Sequence, residues 1–139
     1  MKELFHTAVE EVFDETFGMK LSPCQNRSTT EGYLAEVPFE ENGQNFTATV
    51  WIDKEALKRL ATILLEDQDP NHTTLEDLTA EVANFIVGHT KMKASDAGID
   101  CTMSTPVFKG VAPMPEEQDI SRYEIDGHCI ALKIEAADG

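Results

Sequence analysis

Thr73–Gly98, TTLEDLTAEVANFIVGHTKMKASDAG, is the stretch whose reading decides the fold. No proline interrupts it. Thr73 or Thr74 offers a hydroxyl that can accept from the orphan amides of a first helical turn. Glu76 and Asp77 then fall at the positive end of the helix dipole, and Gly98 supplies a left-handed stop. The expectation is one long helix. Leu75, Leu78, Val82, Phe85, Ile86, His89 and Met92 recur at steps of three and four and form an apolar face that must pack on something.

A second row on the same helix, Asp77, Glu81, Asn84, Gly88, Lys91 and Ser95, is polar and also shares one face. A solvated surface is the ordinary account of such a row. Two residues argue against it here. Gly88 destabilises a helix interior by roughly 1 kcal/mol relative to alanine. Asn84 is a weak helix former, because its amide competes with the backbone. A glycine in that row lets another backbone approach closely, and Glu81 and Asn84, one turn apart, project together toward whatever approaches.

The 139 residues suit one domain, spanning 1–139, with a proper core, and 41% of them are hydrophobic. The formal net charge of -15 repels phosphate backbones, which argues against nucleic acid as a partner. The first residues lack the uninterrupted apolar run of a signal peptide, and no run is long enough to span a bilayer. A cytoplasmic protein without membrane insertion is expected. Cys24, Cys101 and Cys129 are odd in number and widely spaced, which suggests neither a disulfide framework nor a zinc site; free buried thiols are the simplest account. His6, His72 and His128 are scattered, with no second ligand at metal spacing.

Elsewhere the patterns alternate between two kinds. Leu4, Phe5, Ala8, Val12, Phe13 and Phe17 predict an opening helix ended by Gly18. Ser22–Arg27 reads as loop. Thr30–Phe39 and Phe46–Ile52 are strand-like about a Glu41-Asn42-Gly43 turn, since Asn-Gly accepts positive φ. Trp51 falls on the face opposite Val50 and Ile52, so both faces of that strand should be covered. Asp53 caps a helix from Lys54 to about Leu65. Ile99–Thr105 is a strand candidate broken at Pro106, Val107 and Phe108 resume extended structure, and Pro113, Pro115, Glu116 and Glu117 form a surface loop. Ser121–Ala136 closes the chain as a hairpin about Asp126-Gly127. Helices and hairpins are segregated, which predicts an α+β domain: an antiparallel sheet of about six strands with long helices packed on it.

The two halves echo each other. Each places a helix before strands, and Thr7-Ala8 with Glu11-Val12 parallels Thr79-Ala80 with Glu81-Val82. Glu11-x-x-Asp14 is then the counterpart of Glu81-x-x-Asn84.

The segment Glu81-Val82-Ala83-Asn84-Phe85-Ile86-Val87-Gly88, followed by Gly98 and by Ser104-Thr105-Pro106-Val107-x-x-Gly110, resembles the CheC/CheX/FliY family of chemotaxis phosphatases. A lone Glu-x-x-Asn has little specificity; its placement on a long helix, with glycine four residues on and a Thr-Pro turn after the next strand, has much more. One good motif in a short chain resembles CheX rather than the two-motif relatives, since the first helix offers only Glu11-x-x-Asp14. The resemblance implies a phosphatase acting on a phosphorylated CheY-like response regulator. Glu81 would pair with a lysine of the regulator, and Asn84 would orient a water in line with the aspartyl phosphate. Gly88, Lys91, Asp77 and Ser95 would belong to the partner-binding face. No cofactor of the chain's own is implied, because magnesium is expected in the regulator. A homodimer joined through strands is implied as well. His89 reads as a packed, hydrogen-bonded histidine rather than a catalytic one, and Thr105-Pro106 as a structural turn. The alternative is a non-catalytic domain that binds a response regulator or serves the flagellar switch. A small-ligand sensor has no supporting motif.

Overall fold

The computed structural model describes residues 2–24, 31–115, 120–125 and 127–136. Three helices, α1 (Lys2–Phe17), α2 (Lys54–Leu65) and α3 (His72–Asp96), accompany seven strands. The strands are β1 (Ser22–Pro23), β2 (Glu31–Glu41), β3 (Gln44–Asp53), β4 (Cys101–Met103), β5 (Val107–Pro113), β6 (Ser121–Ile125) and β7 (His128–Ala136). All pairings are antiparallel, in the order β1-β6-β7-β3-β2-β4, with β5 on the same side of β2 as β4. This is the expected α+β architecture, with seven strands where about six were expected.

The turns behave as their residues require. Glu41 pairs with Gln44 across a two-residue loop in which Asn42 and Gly43 both have positive φ, 48° and 84°. The β6–β7 hairpin closes with Ile125 opposite His128, and Asp126 of its expected turn lies outside the described residues. Thr30, Asn26 and the loop residues Glu116 and Glu117 lie outside them too.

The helices cover one face of the sheet. Val9, Phe13, Leu57, Leu60, Leu75, Val82 and Ile86 bury themselves against Val37, Val50, Ile52, Ile130 and Leu132. The opposite face carries a second, smaller cluster: Trp51, Met114, Ile120, Cys129 and Ala131. Trp51 is fully buried, as the alternation implied, and its Nε1 donates to the Ala112 carbonyl at 2.9 Å. Its indole lies across Gly32, where an added Cβ would meet the ring at 2.3 Å.

Four expectations need correction. Asn71, not Thr73 or Thr74, caps α3; its side chain accepts from the Thr74 amide at 2.8 Å. The buried face of α3 is also displaced from the expected stripe. Met92 is 65% exposed, and Phe85 and His89 are only half-buried, while Thr79, Ala83, Val87, Thr90 and Ala94 are buried. The reason is that α3 packs on α1 and α2 as well as on the sheet, so small residues serve its tightest contacts. The two threonines look like surface residues, yet each hydroxyl donates back to a carbonyl four residues earlier, Thr79 to Leu75 at 2.7 Å and Thr90 to Ile86 at 2.8 Å. Third, Ser22 and Pro23 are not loop: they pair with Glu124 and Tyr123. Fourth, Cys24 and Cys129 are not free thiols. They are joined in a disulfide with Cα atoms 6.1 Å apart across a sequence separation of 105, and Cys101 is the free, buried cysteine. The β1–β6 pairing brings Cys24 beside β7, a proximity that spacing along the chain cannot express.

Candidate functional site

Asn71 and Gly98 bracket α3 and fix the rotation of the helix between them. Gly98 takes a φ of 79°, and the Ile99 amide returns to the Ala94 carbonyl at 2.8 Å, which turns the chain into β4. After β4, the Ser104 amide donates to the Pro38 carbonyl at 2.8 Å and pins the Ser104-Thr105-Pro106 corner to β2. That corner faces the middle of α3.

Between helix and corner lies an open groove of about 490 Å³, lined by Ala80, Glu81, Asn84, Met103, Ser104, Thr105 and Pro106. Glu81 is exposed and Asn84 half-buried. Among the described residues, neither the Glu81 carboxylate nor the Asn84 amide has a hydrogen-bond or ion-pair partner. Asp77, Lys91 and Ser95 are exposed on the same helix, and Gly88 is half-buried with nothing within 4 Å of an added Cβ. The polar row is thus solvent-facing, and space stands open above its glycine. Of the groove walls, Met103 and Ser104 carried no role in the sequence reading. Thr105 and Pro106 do turn the chain, as expected, but they also line the groove. The Ser-Thr-Pro spacing after α3 was the signal that could have assigned them to it.

A second groove, of about 430 Å³, runs along α1 and is lined by Thr7, Glu10, Glu11, Asp14, Met19, Lys20 and Leu21. Each groove runs beside a helix bearing Glu-x-x-Asp or Glu-x-x-Asn; the first is walled by the segment that leaves α1, the second by the end of β4 and the corner after it. The electrostatics differ. Lys93 Nζ lies 2.6 Å from a Glu11 carboxylate oxygen, and His89 Nε2 lies 3.5 Å from Glu15. His89 Nδ1 faces the Phe85 carbonyl at 3.3 Å, so both ring nitrogens have protein neighbours. That is the packed role its sequence position suggested.

Among the described residues no group of three or more His, Cys, Asp or Glu side chains could hold a metal ion, and no helix is long and apolar enough to cross a membrane.

This arrangement of three helices on a seven-stranded antiparallel sheet is the fold of the CheC/CheX/FliY structures. CheX from Vibrio vulnificus superposes with a TM-score of 0.80 at 14% identity, over 95% of this chain and 93% of that one. CheX of Borrelia burgdorferi, solved in complex with CheY, BeF3 and magnesium, gives 0.70 at 15% identity over 99% and 97% of the two chains. The FliM middle domain from Vibrio alginolyticus gives 0.52 at 9% identity, over 97% and 90%. No protein-family model matches the sequence, and no curated protein does.

Proposed function

We propose that this chain, as one CheX-like domain over residues 1–139, is a cytoplasmic phosphatase that accelerates loss of the phosphoryl group from the aspartyl phosphate of a CheY-like response regulator. One observation carries the reading: Glu81 and Asn84 sit one turn apart on the rim of an open groove, with no partner among the described residues. Polar groups aimed at solvent beside a glycine are placed for a partner's surface. The fold shared with CheX, one example of which is solved with CheY, supports the identity of that partner.

The chemistry needs little from the protein. An aspartyl phosphate is an activated acyl phosphate, and the regulator brings its own magnesium. What is missing is a water held in line with the phosphorus, and fixed geometry can supply much of a barrier. The Asn84 amide suits this task because it donates and accepts at once. A carboxylate at that position would add repulsion toward the phosphoryl oxygens. Glu81 works as the docking residue: its carboxylate is unpaired among the described residues and can meet an ammonium group of the regulator in a charge-assisted bond. Gly88 leaves room for the partner's backbone, with Asp77, Lys91 and Ser95 around it.

The test is to add this protein in catalytic amount to a phosphorylated CheY-like regulator and follow phosphate release. Acceleration over the regulator's own decay supports the reading. Binding without acceleration leaves the second reading, a regulator-binding module without catalysis, which the fold shared with the FliM middle domain favours. The reading also includes a homodimer joined through strands. β5 pairs only with β2 among the described strands, and its Val107 and Val111 are exposed. Sedimentation at micromolar concentration should give twice the chain mass, and a monomer there would rule the dimer out.

A further inference from the structure

We propose that Cys24 and Cys129 form a reversible redox latch, which decides whether the edge of β6 is covered by β1. β1 is two residues long. It is held by the pairs Ser22–Glu124 and Pro23–Tyr123 and by the Cys24 amide donating to the Arg122 carbonyl at 3.1 Å. So short a strand gains few contacts against the entropy of ordering it. The covalent bond immediately after it is the stronger anchor, and, joining residues 105 apart in sequence, it also restricts the unfolded chain.

The two sulfurs are unequally placed. Cys129 is buried on β7 in the cluster around Trp51, whereas Cys24 is half-buried at that cluster's border. Cys24 is therefore the sulfur that a soluble thiol reagent meets first. Cys101 stands apart from both, paired with β2 through β4. Burial pushes its thiol pKa up, with Glu41 and Asp100 adding to the shift and Lys91 opposing it, so it competes poorly as a nucleophile. In a reducing compartment, a disulfide of this kind is redox-responsive rather than structural.

The exchange balances with glutathione disulfide as oxidant. The Cys24 thiolate attacks one glutathione sulfur and expels glutathione thiolate, giving a mixed disulfide. The Cys129 thiolate then attacks the Cys24 sulfur and expels the second glutathione. Two electrons pass from the protein to glutathione, and the two cysteine protons end on two glutathione thiols. In the oxidised state β1 caps β6. In the reduced state β1 is released, and β6 becomes an edge strand with open backbone groups.

The test uses the full chain carrying Cys101→Ser, oxidised with glutathione disulfide or reduced with dithiothreitol. Hydrogen exchange is read on peptides covering Ser121–Ile125, together with Trp51 emission and Tm. Reduction should speed exchange in β6 by about tenfold or more. It should also lower Tm by roughly 10 °C and raise the emission of Trp51, because a disulfide in the same cluster quenches indole. Cys24→Ser should exchange like the reduced form under both conditions, and the reduced parent supplies the same readout if that variant does not fold. Equal β6 exchange in the two states would overturn the latch. So would two titratable thiols persisting in excess glutathione disulfide.

Discussion

The grooves on α1 and α3 are similar in size, about 430 and 490 Å³, and two differences on their helices matter most. On α3 the glutamate has no partner among the described residues, and the residue three places on is an amide. On α1 the glutamate is bound to Lys93, a residue of α3 itself, and the residue three places on is the carboxylate of Asp14. Under the proposed function, the α1 groove would repel phosphoryl oxygen, and its glutamate is already held in an ion pair within the chain. The difference teaches that similar Glu-x-x-Asn and Glu-x-x-Asp patterns can stand in unlike surroundings, one facing solvent and one tied into a helix–helix ion pair. Lys93 lies two residues beyond Lys91, yet it belongs to the α1 contact rather than to the exposed row.

The comparison breaks most easily at Asn84. Asn84→Ala should lower single-turnover phosphate release by about 100-fold, with regulator affinity within about twofold. Asn84→Asp should not restore it, because it recreates the α1 situation on α3. Parent-like release by Asn84→Ala would end the catalytic reading. Glu81→Ala is expected next in size. Loss of a charge-assisted contact should weaken regulator binding by about tenfold or more and lower turnover with it. Titration calorimetry beside the release assay separates the two terms, and unchanged affinity would take the docking role from Glu81.

Gly88→Leu sharpens the contrast in another way. An added Cβ has open space, so the helix should gain roughly 0.5–1 kcal/mol in urea unfolding. Binding should weaken a few-fold if a partner's backbone must approach there. A more stable variant that binds as the parent does would show that the glycine faces nothing. The smallest effect belongs to α1. Glu11→Ala and Asp14→Ala should change phosphate release by less than about twofold, because neither side chain lines the groove on α3. A large loss from either change, with the circular dichroism spectrum preserved, would mean that α1 is the working helix.

Much of this was legible in the sequence, and the reasons are local. Asn42-Gly43 accepts a turn few other pairs tolerate, Asp53 caps α2 with its own carboxylate, and Gly98 ends α3 where the left-handed backbone is needed. The polar row on α3 followed from a period of 3.6 alone. So did the pairing of Glu81 with Asn84, since residues three apart on a helix share a face whatever the helix packs on. The α3 cap was misassigned because Asn71, Thr73 and Thr74 are all able to cap, and only the chain's path from α2 selects among them.

What the sequence by itself determined, then, is every element except β1, the Asn42-Gly43 turn, and the polar face of α3. These depend on interactions within a few residues. Only the tertiary structure decided the rest, because it rests on distances between segments remote in the chain. The packing of α3 on the other helices and the sheet buries Thr79 and Thr90 and leaves Met92 in solvent. The Ser104-Thr105-Pro106 corner becomes a wall opposite Asn84 because the Ser104 amide reaches Pro38 on β2. Lys93 silences Glu11 across a helix–helix contact, and Cys24 meets Cys129 because a two-residue strand lies against β6. None of these pairings leaves a periodicity in the sequence, since each is fixed by how the helices and the sheet close upon one another.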